Sequence, residues 1–180
     1  AFTWPNAPKE RVAKLAPDGT MLANGSVTPD GYAVNTIQSV FLHAAKYTDP
    51  TQLLPPQTMP HIGDRLDAKG VNWAWYAGGY DAAMAGKPSE DFQFHHQPFA
   101  YFQNMAPGTP GQKAHLKDYK DFVHDIQANT LPPVVFYKPV GVLNEHPGYA
   151  SIAEGDKHLA ELIGMLQKSA AYKDMLIVIT

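Results

Sequence analysis

From Thr58 onward the hydrophobic period of this chain switches repeatedly between helix and strand, and that alternation restricts the folds open to it. Asp118 precedes Tyr119, Phe122, Val123 and Ile126, which recur at the three-and-four spacing of a stripe on one helix face. Leu131-Pro132-Pro133 stops that helix, because proline lacks an N–H and crowds the turn before it. Val134 to Tyr137 follows as a short apolar run of strand type. The loop Lys138 to Tyr149 comes next, its path fixed by Pro139, Gly141, Pro147 and Gly148. Ser151-Ile152-Ala153-Glu154 is a capping-box pattern and opens a helix expected over Ile152 to Lys168, with Leu159, Leu162, Ile163 and Leu166 on its inner face. Met175 to Thr180 is nearly all apolar and reads as a strand buried on both faces.

An earlier unit has the same grammar. Thr58 is the expected cap of a helix over Met59 to Lys69, with Ile62 and Leu66 on one face and Gly70 as the stop. Val71 to Ala77 is the expected strand, and Gly78-Gly79 ends it. Three helix–strand units in succession predict an α/β fold with a largely parallel central sheet flanked by helices. Residues 58–180 carry those units. Residues 1–57 are loop-rich: Pro5, Pro8, Pro17, Pro29, Pro50, Pro55 and Pro56 interrupt any long element, with turns at Asp18-Gly19 and Asp30-Gly31. A helical turn is expected within Glu10 to Leu15 and a strand within Tyr32 to Phe41.

Composition narrows the function classes. An apolar share of 44% over 180 residues is enough for one domain with a real core. A net charge of -3 argues against a nucleic-acid surface. No run approaches the roughly 18 apolar residues of a membrane span, and Ala1 to Pro5 has no leader character. With no cysteine, thiolate chemistry, thiolate metal sites and disulfides are excluded.

The residues that could carry chemistry cluster at strand ends, where open α/β sheets place their sites. His146, in the loop after the second strand, has the chemistry of a general acid, a metal ligand or a phosphate donor. Asn144 and Glu145 could orient it or contact a ligand themselves, and Lys138 could neutralise an anion. The alternative is a loop histidine satisfied by backbone carbonyls. His95-His96 lies in an aromatic stretch with Phe92, Phe94, Phe99, Tyr101 and Phe102, which suggests a desolvated pocket wall or an aromatic minicore. Read as extended chain, the two rings would point to opposite sides. His43, His61, His115, His124 and His158 form no metal-binding pattern, and the last three are expected to be solvated. Asp30 and Asn35 could edge a cleft, although a turn explains the Asp-Gly equally simply. No metal ligand is assigned within the chain.

The runs Ile62-Gly-Asp-Arg-Leu, Trp73-Ala-Trp-Tyr-Ala-Gly-Gly, Phe94-His-His-Gln-Pro-Phe-Ala-Tyr-Phe and Asn144-Glu-His-Pro-Gly-Tyr resemble, in order and spacing, the bacterial acid phosphatase / phospholipase C phosphoesterase family. The resemblance extends through Gly155-Asp156, spans nearly the whole chain from Thr3-Trp-Pro-Asn-Ala-Pro, and favours the acid phosphatase branch. It implies a fold like that of alkaline phosphatase and hydrolysis of phosphate esters. It further implies a divalent metal ion, a metal-bound serine or threonine nucleophile, and histidines at the phosphoryl oxygens or leaving group. Carried over residue by residue, it assigns His146 and His96 to the phosphate pocket, with His95 as the alternative. Export to the periplasm or medium is implied as well.

The same comparison implies that the nucleophile and the acidic metal ligands lie outside these residues. The chain is therefore expected to be the middle of such an enzyme, incomplete at both ends of its sheet and inactive alone. The competing expectations are a module that binds phosphate or a phospholipid head group without hydrolysing it, and a structural piece that assembles with other segments. An apolar sheet edge at Met175 to Thr180 would favour self-association.

Overall fold

The computed structural model describes residues 4–32, 39–41 and 53–180. Its centre is a three-stranded parallel sheet. After a small antiparallel hairpin of β1 (Lys14–Leu15) and β2 (Met21–Ala23), the sheet strands are β3 (Trp73–Ala77), β4 (Leu116–Asp118) and β5 (Val134–Lys138), in the order β4-β3-β5. The register sets Ala77 beside both Asp118 and Lys138, so the three strands end together along one edge. The protein is thus α/β, with an open parallel sheet between helical layers.

Alternation in the strands explains the two cores. Trp73, Trp75 and Ala77 of β3 and Val134 and Phe136 of β5 face one side; Ala74, Tyr76, Val135 and Tyr137 face the other. The first side packs on α1 (Ile62–Ala68) and on the aromatic stretch with Phe92, Phe94 and Phe99. Short helices α2 (Tyr80–Met84) and α3 (Pro110–His115) complete that layer through Tyr80, Ala83 and the ring of His115 stacked on Trp73. The second side packs on Phe122 and Ile126 of α4 (Tyr119–Ala128) and on Leu162 and Leu166 of α5 (Ile152–Gln167). Both helices start where the sequence predicts. Asp118 forms a capping box with Asp121, and the Ser151 hydroxyl accepts from the Glu154 amide. Among the described residues, no helix is long and apolar enough to cross a membrane.

Other expectations need correction. Helix α1 begins three residues after the expected start, because His61 and not Thr58 caps it: its ring accepts from the Asp64 amide while the Asp64 carboxylate accepts from the His61 amide. Ile62 consequently points to solvent, and Gly63 and Leu66 turn inward. Gly63 lies so close to the Trp73 ring that a methyl group there would overlap it. The turn expected within Glu10 to Leu15 is a 3-10 turn over Lys9–Arg11, followed by β1.

The third sheet strand, β4, has only three residues and was not expected. Met175 to Thr180 pairs with no described strand, and Leu176, Val178 and Ile179 are 90%, 73% and 63% exposed. An apolar run becomes a buried strand only by pairing with a neighbour's free ladder, and this run does not pair with the outer edge of β4 or of β5. Turns at Gly19 and Gly31 do form, both with positive φ. Most of the expected Tyr32 to Phe41 strand, with Asn35 and His43, lies outside the described residues.

Candidate functional site

The carboxyl ends of β3 and β5 hold most of the expected residues. Lys138 is the last residue of β5 and half-buried. Beyond it, Pro139 and Val140 cross the end of β3 at Gly78, whose amide donates to the Lys138 carbonyl at 3.2 Å. A Cβ on Gly78 would stand 2.6 Å from the Val140 nitrogen, so glycine is required for this crossing. The Gly141 amide then donates to the Asp91 carbonyl at 2.9 Å, joining the loop to the aromatic stretch.

The histidine pair sits beneath this crossing. Phe94–His96 is a 3-10 turn, not extended chain, so the His95 and His96 rings lie on neighbouring sides with centroids 4.8 Å apart and planes nearly perpendicular. The indole N–H of Trp75 donates to the His96 carbonyl at 2.7 Å and ties the turn to β3. His96 is buried. Its Nδ1 is 3.1 Å from the Pro139 carbonyl, which can only accept, so Nδ1 carries the proton. Its Nε2 then accepts from the Asn144 amide at 3.2 Å. Nδ1 of His95, by contrast, is buried without a hydrogen-bond partner.

The loop residues divide by role. The Asn144 side-chain carbonyl accepts from the His146 amide at 2.9 Å, and its NH₂ also donates to the Tyr149 hydroxyl at 3.0 Å. The exposed His146 ring stacks on Tyr149, with centroids 5.0 Å apart and planes at 23°. His146 Nδ1 donates to the Pro147 carbonyl at 2.8 Å, which leaves Nε2 for a ligand. Glu145 holds a left-handed backbone, φ 61°, and lays its side chain over Gly155 of α5. The structure therefore brings together Lys138, His95, His96, Asn144 and His146, and turns Glu145 towards the helix.

Two of the remaining histidines contradict the expectation of solvation. His158 is buried, with Nε2 at 2.6 Å from the Tyr137 hydroxyl. His115 stacks on Trp73 at 4.2 Å, and its Nδ1 donates to the Trp73 carbonyl at 2.8 Å. Helix periodicity could not reveal this, because each ring is held by a strand remote in sequence. Only His124 is solvated, with a side chain 76% exposed. Asp30 takes part in the Thr28–Tyr32 turn, and Asn35 lies outside the described residues.

The electrostatics of the cluster favour an anion. Burial lowers the His96 pKa to about 4, helped by the nearby positive charges of His95, Lys138 and His146 and opposed by the Pro139 carbonyl. Burial also lowers His95, again helped by Lys138 and His146. The positive charges of Lys138 and His146 thus oppose a proton on His95 and His96, and a bound anion would offset that opposition. Among the described residues, no group of three His, Cys, Asp or Glu side chains is placed to hold a metal ion. Tyr149 is the member of the cluster that no sequence pattern singles out; a stacking partner three residues along a loop has no periodic signal.

Comparison with known proteins gives this geometry a context. A model of the family described as the Phosphoesterase family matches residues 2–180. A probable acid phosphatase of Kluyveromyces lactis is 27% identical over 138 residues, which covers 72% of this chain and 32% of that protein. The chain spans about a third of the length of this curated relative.

Proposed function

The chain belongs to the phosphoesterase family, and from that premise we propose that it forms the phosphate-binding wall of a site that hydrolyses phosphate esters. The observation that carries this is the convergence of His95, His96, His146 and Lys138 at the carboxyl ends of parallel strands β3 and β5. The Lys138 ammonium and the imidazoles of His95 and His146 would meet phosphoryl oxygens. An arriving dianion raises the proton affinity of each imidazole, so binding takes up protons. His146, the most exposed of the three, would take up such a proton at Nε2 and give it to the leaving alcohol. His96 stays neutral and supports the others. Acid phosphatase activity, the wording attached to the relative, fits such proton-linked binding.

A divalent cation belongs to the same reading, since it would neutralise phosphoryl oxygens and activate a nucleophile. The converging donors are imidazoles and an ammonium with no carboxylate among them, which suits an anion.

The test has two stages. Inorganic phosphate added to the purified chain should shift the imidazole ¹⁵N resonances of His95 and His146, with affinity rising as pH falls. Lys138→Ala or His146→Ala should weaken binding about tenfold, the equivalent of roughly 1.4 kcal/mol. Absence of a response at millimolar phosphate sinks the proposal. An aryl phosphate with divalent metal then separates hydrolysis from binding alone: turnover lost in His146→Ala supports hydrolysis by this chain, and binding without product marks a non-catalytic module.

We infer also that the chain self-associates, because Leu176, Val178 and Ile179 present apolar side chains to solvent. Sedimentation velocity over a hundredfold concentration range should show growth in mass. A single monomeric boundary throughout would contradict it.

A further inference from the structure

Asn144, Tyr149 and His146 form a closed circuit, with His96 joined to it through Asn144, and its members are not all suited to touch phosphate. Asn144 spends its carboxamide internally: the NH₂ group on His96 Nε2 and the Tyr149 hydroxyl, the carbonyl on the His146 amide. Tyr149 closes the circuit by stacking on His146. Each link fixes one degree of freedom. The Pro139 carbonyl and the Asn144 amide together hold His96 in the Nδ1–H form. The Asn144 carbonyl fixes the turn that presents His146, and the Tyr149 ring limits rotation of the His146 imidazole.

We propose that Asn144 and Tyr149 are positioning residues: Asn144 sets the tautomer of His96, Tyr149 sets the ring plane of His146, and the bond between them makes the two histidines one unit. This rests on the phosphate reading above. Of the two expectations for Asn144, it takes the orienting role over contact with a ligand, since both ends of its amide are already engaged. Glu145 lies outside the circuit, over Gly155, and serves as the internal control.

The experiment uses the whole chain, imidazole ¹⁵N–¹H correlation spectra and inorganic phosphate as the probe. In the unsubstituted chain His96 should give the spectrum of a neutral Nδ1–H ring at pH 7. Asn144→Asp places a carboxylate opposite Nε2, and His96 should then gain a second N–H. Tyr149→Phe keeps the stack and loses the hydroxyl, so phosphate affinity should fall about threefold. Tyr149→Leu loses both, and affinity should fall about tenfold with the His146 resonances broadened. Glu145→Gln should change none of these readings.

Tyr149 is 48% exposed, so its variants should fold even if Asn144→Asp does not. If phosphate moves no histidine in the unsubstituted chain, the parent reading fails and takes this inference with it. If phosphate binds normally but Tyr149→Leu binds as well as the unsubstituted chain, only the inference fails. An Nε2–H tautomer for His96 at pH 7 overturns it as well.

Discussion

The Tyr137 hydroxyl and Nε2 of His158 share a hydrogen bond of 2.6 Å, joining the strand that carries the site to the helix behind it. Burial pushes the Tyr137 phenol up, helped by Tyr119 and Asp118, so it keeps its proton. Burial also lowers the His158 imidazole, with Glu161 opposing, so the ring favours its neutral form. A base lowered in the folded state binds its proton more readily when unfolded. Its stabilisation is complete above the ordinary histidine value near pH ~6.5 and is lost as pH falls below it. His95 and His96 act in the same direction, His96 down to about 4. Thermal unfolding followed from pH 8 to pH 4 should show the midpoint falling from about pH 6.5 downward, and less steeply in His158→Phe.

Asp125 should govern a more acidic range. It accepts from Tyr76 at 2.6 Å, Lys117 at 2.9 Å and Thr130 at 3.1 Å. Burial alone would raise its carboxyl, but those hydrogen bonds and the Lys117 charge prevail and hold it at about 2. Its contribution is present above pH ~4 and lost as pH falls towards 2. Asp125→Ala should lower stability by about 2–3 kcal/mol in urea titrations at pH 7. Asp125→Asn should flatten the pH dependence between about 4 and 2.

Trp73 is the side chain on which the first core depends. It has no exposed surface, stacks on His115 at 4.2 Å and donates from its indole to Asp67 at 2.9 Å. Trp73→Ala should cost about 3–5 kcal/mol. Trp73→Phe should cost about 1–2 kcal/mol, chiefly through the lost hydrogen bond and a small void. Denaturant midpoints compared across the two variants check both values.

His61 caps α1 and also packs edge-on against Phe102 at 4.6 Å. Its two tasks can be separated. His61→Asn keeps a capping acceptor and loses the ring contact, whereas His61→Ala loses both. Alanine should be the more damaging by about 1 kcal/mol, measured by chemical denaturation.

The parts of the fold legible in the sequence are those with a local cause. Asp118 and Ser151 announce their helices because a cap lies within three residues of what it caps. Val134 to Tyr137 reads as a strand because its alternation serves two cores. The errors share a cause of another kind. Whether Met175 to Thr180 forms a strand depends on a neighbour, and whether His158 is buried depends on Tyr137, which lies on another element. The site divides similarly. The position of His146 follows from the strand–loop–helix order, whereas the bond from Asn144 to His96 spans a sequence gap that no period records.

The crossing at Gly78 sets a limit on variation. Every other amino acid would bring a Cβ to within 2.6 Å of the Val140 nitrogen, just where Pro139 holds His96. A saturation library at this codon should therefore return glycine alone among functional clones. At Gly164, where a Cβ would meet nothing within 4 Å, alanine should pass unnoticed. The tolerance of this protein to drift is thus uneven along its length, and narrowest at a residue that offers the pocket no side chain at all.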